Sequence, residues 1–152
     1  MTTGPGVIRN NIVRRTGNSG IFISTSRDVE IYGNTIEYSY HGINLFVFCG
    51  VVGGPDFPYA GAIGFDLRNL NIHDNVVKVP NRTYATATSI SYTGCTAEQF
   101  AVYPSGAKNL VFQNNKYFLP TMTDGWFFWG APSWISWNQW QSLPQDKTGT
   151  AQ

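Results

Sequence analysis

Charge is what this chain has least of. Asp, Glu, Lys and Arg make up 12% of its 152 residues, about half the usual share in a soluble domain. The formal net charge is +1, so there is no strong basic or acidic field to recruit nucleic acid or an anionic membrane surface, and neither is expected as a partner. Long apolar runs are missing too: none approaches the ~18 residues needed to span a bilayer. The opening "MTTGPG" lacks the basic and apolar regions of a secretory signal, and the chain is expected to be a fragment without its native amino terminus. A Gly-rich phosphate loop, Cys/His zinc spacing, a nucleophile-elbow serine and the Gly-x-Asp calcium nonapeptide are all absent. No cofactor is therefore implied, and calcium, though open to acidic side chains, has no motif here.

What the chain does have is a repeat. "VIRNNIV", "VEIYGNTI", "LNIHDNVV" and "LVFQNNKY" align on Asn11, Asn34, Asn75 and Asn115, spaced by 23, 41 and 40 residues. The first spacing is one unit; the others fit one unit plus an insertion. Upstream, Arg27-Asp28-Val29, Arg68-Asn69-Leu70 and Lys108-Asn109-Leu110 share one offset. Each is a cation, a turn former that bonds its own backbone, and the first aliphatic residue of an alternating, half-buried strand. Internal periods of this length indicate a solenoid, propeller or array. Short strands without long helical crossovers favour a chain wound as a coil.

In such a coil, turns stack at roughly 4.8 Å, and equivalent residues form columns. Ile8, Ile31, Ile72 and Phe112 are expected inside, as are Val13, Ile36, Val77 and Tyr117. The asparagine then has a reason: its amide donates to one neighbouring copy and accepts from the other, as in cross-β ladders, and asparagine also tolerates the left-handed conformation of a tight corner.

On the rung length, the asparagine ladder and the strand openings "SGIFI" and "HGINL", the chain from Val7 to about Leu119 resembles the right-handed parallel β-helix proteins of the pectin-lyase-like superfamily. The resemblance implies an all-β fold, a right-handed single-stranded parallel β-helix of about four coils. Insertions fall near residues 46–60 and 80–98, and residues 121–152 form an aromatic carboxyl-terminal cap and tail. One misfit stands at Gly61, where Ala62 and Gly64 occupy the places of Ile21 and Ile23, and reads as a one-residue slip or bulge.

The last quarter carries all five tryptophans. Ser136 and Gln139 form a capping-box pair, predicting a short helix over Trp137 to Ser142 ended by Leu143-Pro144. Trp126, Phe128, Trp134 and Trp140 are suited to plugging the end of the coil; the functional alternative is a row of sugar-stacking tryptophans. The amino-terminal end shows no cap, and its open edge favours self-association. Cys49 and Cys95 fall in the two insertions, either as neighbours in a disulfide or as two buried thiols. "NRT" at Asn81 matches a glycosylation sequon.

Chemistry must come from outward positions. Arg14, Glu37 and Lys78 share one column, read either as a surface ion-pair ladder or as a groove in which a basic group abstracts a proton beside a uronate, as the resemblance to β-helix lyases implies. "EYSYHGINLF" gathers Glu37, Tyr38, Tyr40 and His41, a candidate acid/base or sugar-binding cluster or simply a polar corner. His73, Asp66 and Asp74 are the remaining candidates, and two suitably spaced acids would allow glycoside hydrolysis. The candidate catalytic set is Arg14, Glu37, Tyr40, His41, Asp66 and His73; the candidate substrate-binding set is Tyr32, Tyr38, Phe46 and Lys78. The expected function is a carbohydrate-active module of a secreted protein, acting on or binding polysaccharide as lyase or glycosidase. The alternative is a non-catalytic glycan-binding or structural segment of an adhesin or tailspike-like protein.

Overall fold

The computed structural model describes residues 5–49, 67–130, 134–143 and 145–152. The chain opens with β1 (Gly6–Arg9), β2 (Ile12–Arg14) and β3 (Ser19–Ser24), and each later pass lays one strand beside each of these. The second pass supplies β4 (Arg27–Tyr32), β5 (Thr35–Glu37) and β6 (His41–Phe48); the third, β7 (Arg68–His73), β8 (Val76–Lys78) and β9 (Thr86–Thr93). A short helix α1 (Ala97–Ala101) precedes the fourth pass of β10 (Leu110–Gln113), β11 (Lys116–Phe118) and β12 (Phe127–Phe128). The chain ends with β13 (Trp134–Ile135), α2 (Trp137–Ser142) and β14 (Thr150–Ala151).

Three sheets result, ordered β1-β4-β7-β10, β14-β11-β8-β5-β2 and β13-β12-β9-β6-β3. Every pairing is parallel except β12 with β13. The expected columns are in register: Ile8 pairs Ile31, Ile31 pairs Ile72, and Phe112 pairs Ile72. Val13, Ile36, Val77 and Tyr117 line up likewise in the second sheet. Ile31, Ile36, Ile72 and Val77 are fully buried, as period-two alternation requires of inward positions.

Between the first two sheets runs the asparagine ladder. Asn11 Nδ2 donates to Asn34 Oδ1 (2.9 Å), Asn34 to Asn75 (2.9 Å), and Asn75 to Asn115 (3.0 Å). Each acceptor oxygen also takes the backbone N–H of the preceding asparagine. Asp146 ends the row: its carboxylate accepts the Asn115 N–H, Asn115 Nδ2 and the Tyr117 hydroxyl. The left-handed residue of this corner is not the ladder asparagine, as expected from sequence, but the one before it: Asn10, Gly33, Asp74 and Asn114 all have φ between 53° and 63°. The ladder side chain is thereby left free to point along the stack. A second, surface column joins Asn109 to Asn69 (3.3 Å) and Asn69 to Asp28 (2.8 Å), all three also left-handed. This accounts for the turn former repeated before each strand of the first sheet.

Several expectations change. Residues 86–93, read as part of an insertion, form β9, and residues 46–48 complete β6. The reason is composition: "TATSISYT" lacks aliphatic alternation, yet Thr86, Thr88 and Ser89 are buried as strand residues. The misfit at Gly61 and the Pro144 helix stop lie outside the described residues. The sheet position held by Gly20 and Gly42 passes next to Ala87, where neighbours pack closely: a Cβ on Gly42 would strike Val77 and the Ala87 carbonyl.

The helix α2 forms over Trp137–Ser142 with the reciprocal Ser136/Gln139 capping box. Trp140 and Phe127 are fully buried and stack at 4.8 Å, with Trp129, Trp137, Phe112 and Tyr117 around them. Of the four residues expected to plug the end, Trp126 and Trp140 are buried. Phe128 and Trp134 instead lie against the outer face of the third sheet, because strand alternation turns Phe127 inward and Phe128 outward. At the opposite end Ile8 and Val13 are only half-buried, beside a cavity of about 380 Å³. Cys49 and Cys95 form a disulfide with a Cα separation of 4.6 Å.

Asn75→Ala orphans the buried Asn34 N–H and breaks the row, so it is expected to cost about 3 kcal/mol, against less than ~1 kcal/mol for Asn11→Ala at the exposed end; urea unfolding midpoints measure both. Reducing the disulfide, which closes a 46-residue separation, is expected to lower stability by about 2–4 kcal/mol in the same assay.

Candidate functional site

Because the three sheets face outward in different directions, they divide the candidate residues. Arg14, Glu37 and Lys78 share the second sheet, where Arg14 Nε lies 2.6 Å and Lys78 Nζ 2.7 Å from the two oxygens of Glu37. Hydrogen bonds from Lys78 and then Arg14 hold the Glu37 carboxyl below its ordinary value. A carboxylate clamped by two cations is a poor proton donor or acceptor near neutral pH, so this column has the form of an ion-pair ladder, with Lys78 also over the Phe118 ring (5.6 Å). Tyr38 projects from the following corner, half-exposed at φ 56°.

Tyr32 and His73 are neighbours in the first sheet, stacked at 5.1 Å with ring planes 4° apart. Arg9 donates to the Tyr32 hydroxyl at 3.1 Å. His73 Nδ1 lies 2.7 Å from Asp74 and Nε2 3.2 Å from Glu30. Burial works against its charged form, but the Asp74 and Glu30 carboxylates outweigh it and raise its pKa. Both ring nitrogens are engaged, so this side chain bridges the Asp74 and Glu30 carboxylates. Asp66 lies outside the described residues.

Arg14, Glu37 and Tyr38 line one hollow and Tyr38 and Lys78 another, wider one, both among charged groups; Tyr40 and His41 line a mainly apolar cleft on the third sheet. Its volume is about 280 Å³, bounded by Tyr40, His41, Asn44, Tyr84, Thr86, Ser89, Ser91, Phe128 and Trp134. The floor is the outer face of β6 and β9. There Ser89 donates to Asn44 Oδ1 at 3.1 Å, Ser91 reaches the same oxygen at 3.5 Å, and Asn44 Nδ2 donates to Ser19 at 3.1 Å. His41 and Asn44, both on β6, line the cleft together. His41 Nδ1 is 2.8 Å from the Thr86 hydroxyl, and burial holds its imidazole below the ordinary 6.5, hence neutral at pH 7.

The walls are aromatic. Tyr84, Trp134 and Phe128 run edge to edge, with centroids 5.9 and 5.4 Å apart, and Tyr84 is 67% and Trp134 41% exposed. Tyr40 stands edge-on to His41 at 4.7 Å and donates its hydroxyl to the Thr83 carbonyl. Phe46, also in β6, packs instead with Phe22 at 5.8 Å. Sequence reasoning missed Asn44, Tyr84, Ser89 and Ser91; no motif links them, since β9 itself was not recognised. Among the described residues no group of three or more His, Cys, Asp or Glu is placed to hold a metal ion, and no helix is long and apolar enough to cross a membrane. Compared with family models, curated proteins and solved structures, the chain gives no match in any of the three.

The two histidines are expected to titrate on opposite sides of 6.5, His41 below and His73 above. By linkage, His73 favours the folded state as pH falls through its raised pKa, whereas His41 opposes folding once pH drops below about 6.5. Following the imidazole carbon-bound proton resonances from pH 4 to 9 checks the order directly.

Proposed function

We propose that the chain is a segment of a parallel β-helix whose third sheet carries a non-catalytic glycan-binding cleft. Three parallel sheets visited in turn, with a ladder at one corner, support the β-helix reading, and the chirality of parallel connections favours the right-handed form. A single observation carries the binding reading: Tyr84 and Trp134 stand exposed beside a floor of Asn44, Ser89 and Ser91 hydrogen-bonding groups. Aromatic rings bordering a cleft with a few convergent polar groups suit a sugar, which offers an apolar face for the rings and hydroxyls for the floor.

Binding is favoured over cleavage by what lines the cleft. Its titratable groups among the described residues are Tyr40, His41 and Tyr84. Glycoside hydrolysis calls for two carboxylates flanking the bond, and the described lining contributes none. The basic and acidic residues on which a lyase reading depends are held in the other two sheets. The disulfide supports a secreted, oxidising setting, and the reading requires no cofactor. The half-open first pass suits association with another β edge.

Affinity gels loaded with acidic and neutral polysaccharides, run beside assays for reducing ends and unsaturated uronate, test this. Retardation without product release is expected, with Trp134→Ala weakening it about tenfold, the loss of one aromatic anchor. Release of new ends that persists on purification would replace binding with catalysis.

A further inference from the structure

The polarity of the cleft narrows what can enter it. The Ser89 hydroxyl gives its one hydrogen to Asn44 Oδ1, and Ser91 faces the same acceptor. Tyr40 gives its own hydrogen to the Thr83 carbonyl. A hydroxyl that has donated keeps its lone pairs, so these groups turn acceptors toward an incoming ligand. The Asn44 amide keeps a second hydrogen and His41 a second ring nitrogen beyond these contacts, so the floor suits hydroxyl groups, which both donate and accept. A carboxylate or sulfate oxygen only accepts.

No cation lines the cleft among the described residues; the nearest along the chain is Arg82, exposed and two residues before Tyr84, outside the lining. Lys and Arg are absent from the described lining, and His41 is neutral at pH 7. Arg14 and Lys78 are bound to Glu37 on the second sheet, and Arg9 to Tyr32 on the first. The segments outside the described residues, 1–4, 50–66, 131–133 and 144, contain no Lys, Arg or His, so they bring no basic side chain either. Placing an unpaired anion against aromatic walls without a cation is unfavourable.

We infer that the cleft binds an uncharged sugar residue, one face against Trp134 and Tyr84 and its hydroxyls donating to Ser91, Ser89 and Tyr40, and that it discriminates against uronates and sulfated sugars. This rests on the glycan reading above and runs against the uronate preference implied by the sequence resemblance.

The test uses the whole chain at pH 7.5 and fixed salt, with affinity gels of a neutral β-glucan, a neutral mannan and polygalacturonate. The expected result is retardation by a neutral polymer and none by polygalacturonate. Trp134→Ala should weaken the neutral binding about tenfold and Ser91→Ala severalfold, with unchanged urea midpoints confirming that both variants fold. Polygalacturonate binding as tight as or tighter than neutral binding, and lost in Trp134→Ala, overturns the preference while leaving the glycan cleft standing. Retardation by no polymer, or binding indifferent to Trp134, overturns both. A further arm separates charge from shape: His41→Lys places a cation in the cleft and should create polygalacturonate retention at pH 7.5, and a variant that folds with an unchanged urea midpoint yet gains none counts against the inference.

Discussion

Everything in this molecule hangs on a row of directional hydrogen bonds. Each ladder asparagine donates toward the next pass, and Asn34, Asn75 and Asn115, all fully buried, also accept from the previous one. An amide placed one residue out of register would lose both partners in a site without water. The cost of an orphaned buried donor, about 1–3 kcal/mol, thus acts at every pass to fix the register of short strands whose backbone pairing alone would tolerate slippage. The row also has a direction, and Asp146 suits its end: a carboxylate accepts from Asn115 and Tyr117 and has nothing left to donate. Burial raises its pKa and, with the Asp146 charge, pushes the Tyr117 phenol well above its ordinary 10.0. At the other end Asn11 Oδ1 receives no hydrogen bond among the described residues.

The surface column of Asp28, Asn69 and Asn109 runs the opposite way, donating back toward the first passes and ending on a carboxylate there. With an amide row at each end of the first sheet, a register slip would break both rows at once. With that sheet fixed, the lengths of the two following corners set where β6 and β9 begin, and so bring Asn44 beside Ser89. The cleft floor is a consequence of the register.

How much of this could be read beforehand depended on whether a residue type repeated. The ladder, the two apolar columns and the column of Arg14, Glu37 and Lys78 were legible because the same chemistry recurs at one offset, and α2 because a capping box is local. β9 was not, since threonine and serine bury in a strand without an alternating apolar signal. Asp146 was not, because it fills an asparagine's place with a different residue after a 31-residue interval. The cleft was half visible: Tyr40 and His41 stood out as a polar aromatic cluster, but their partners Tyr84 and Trp134 lie more than 40 residues away, on elements whose pairing no periodicity announced. His73, judged a companion of His41, belongs to another sheet, because two corners and β8 separate the end of β7 from the start of the third sheet.

The closing of the core and the cleft are mechanically one feature. Trp140 and Trp137 seat α2 on Phe127 and Tyr117, and β13, immediately before that helix, pairs antiparallel with β12. That pairing is what sets Trp134 beside Phe128 and Tyr84. A change that loosens the buried tryptophans therefore disturbs the cleft wall as well as the core, whereas a change at Trp134, half out in solvent, touches recognition alone. The tryptophan cluster has two jobs that the sequence presents as one, and strand alternation at Phe127 and Phe128 divides them.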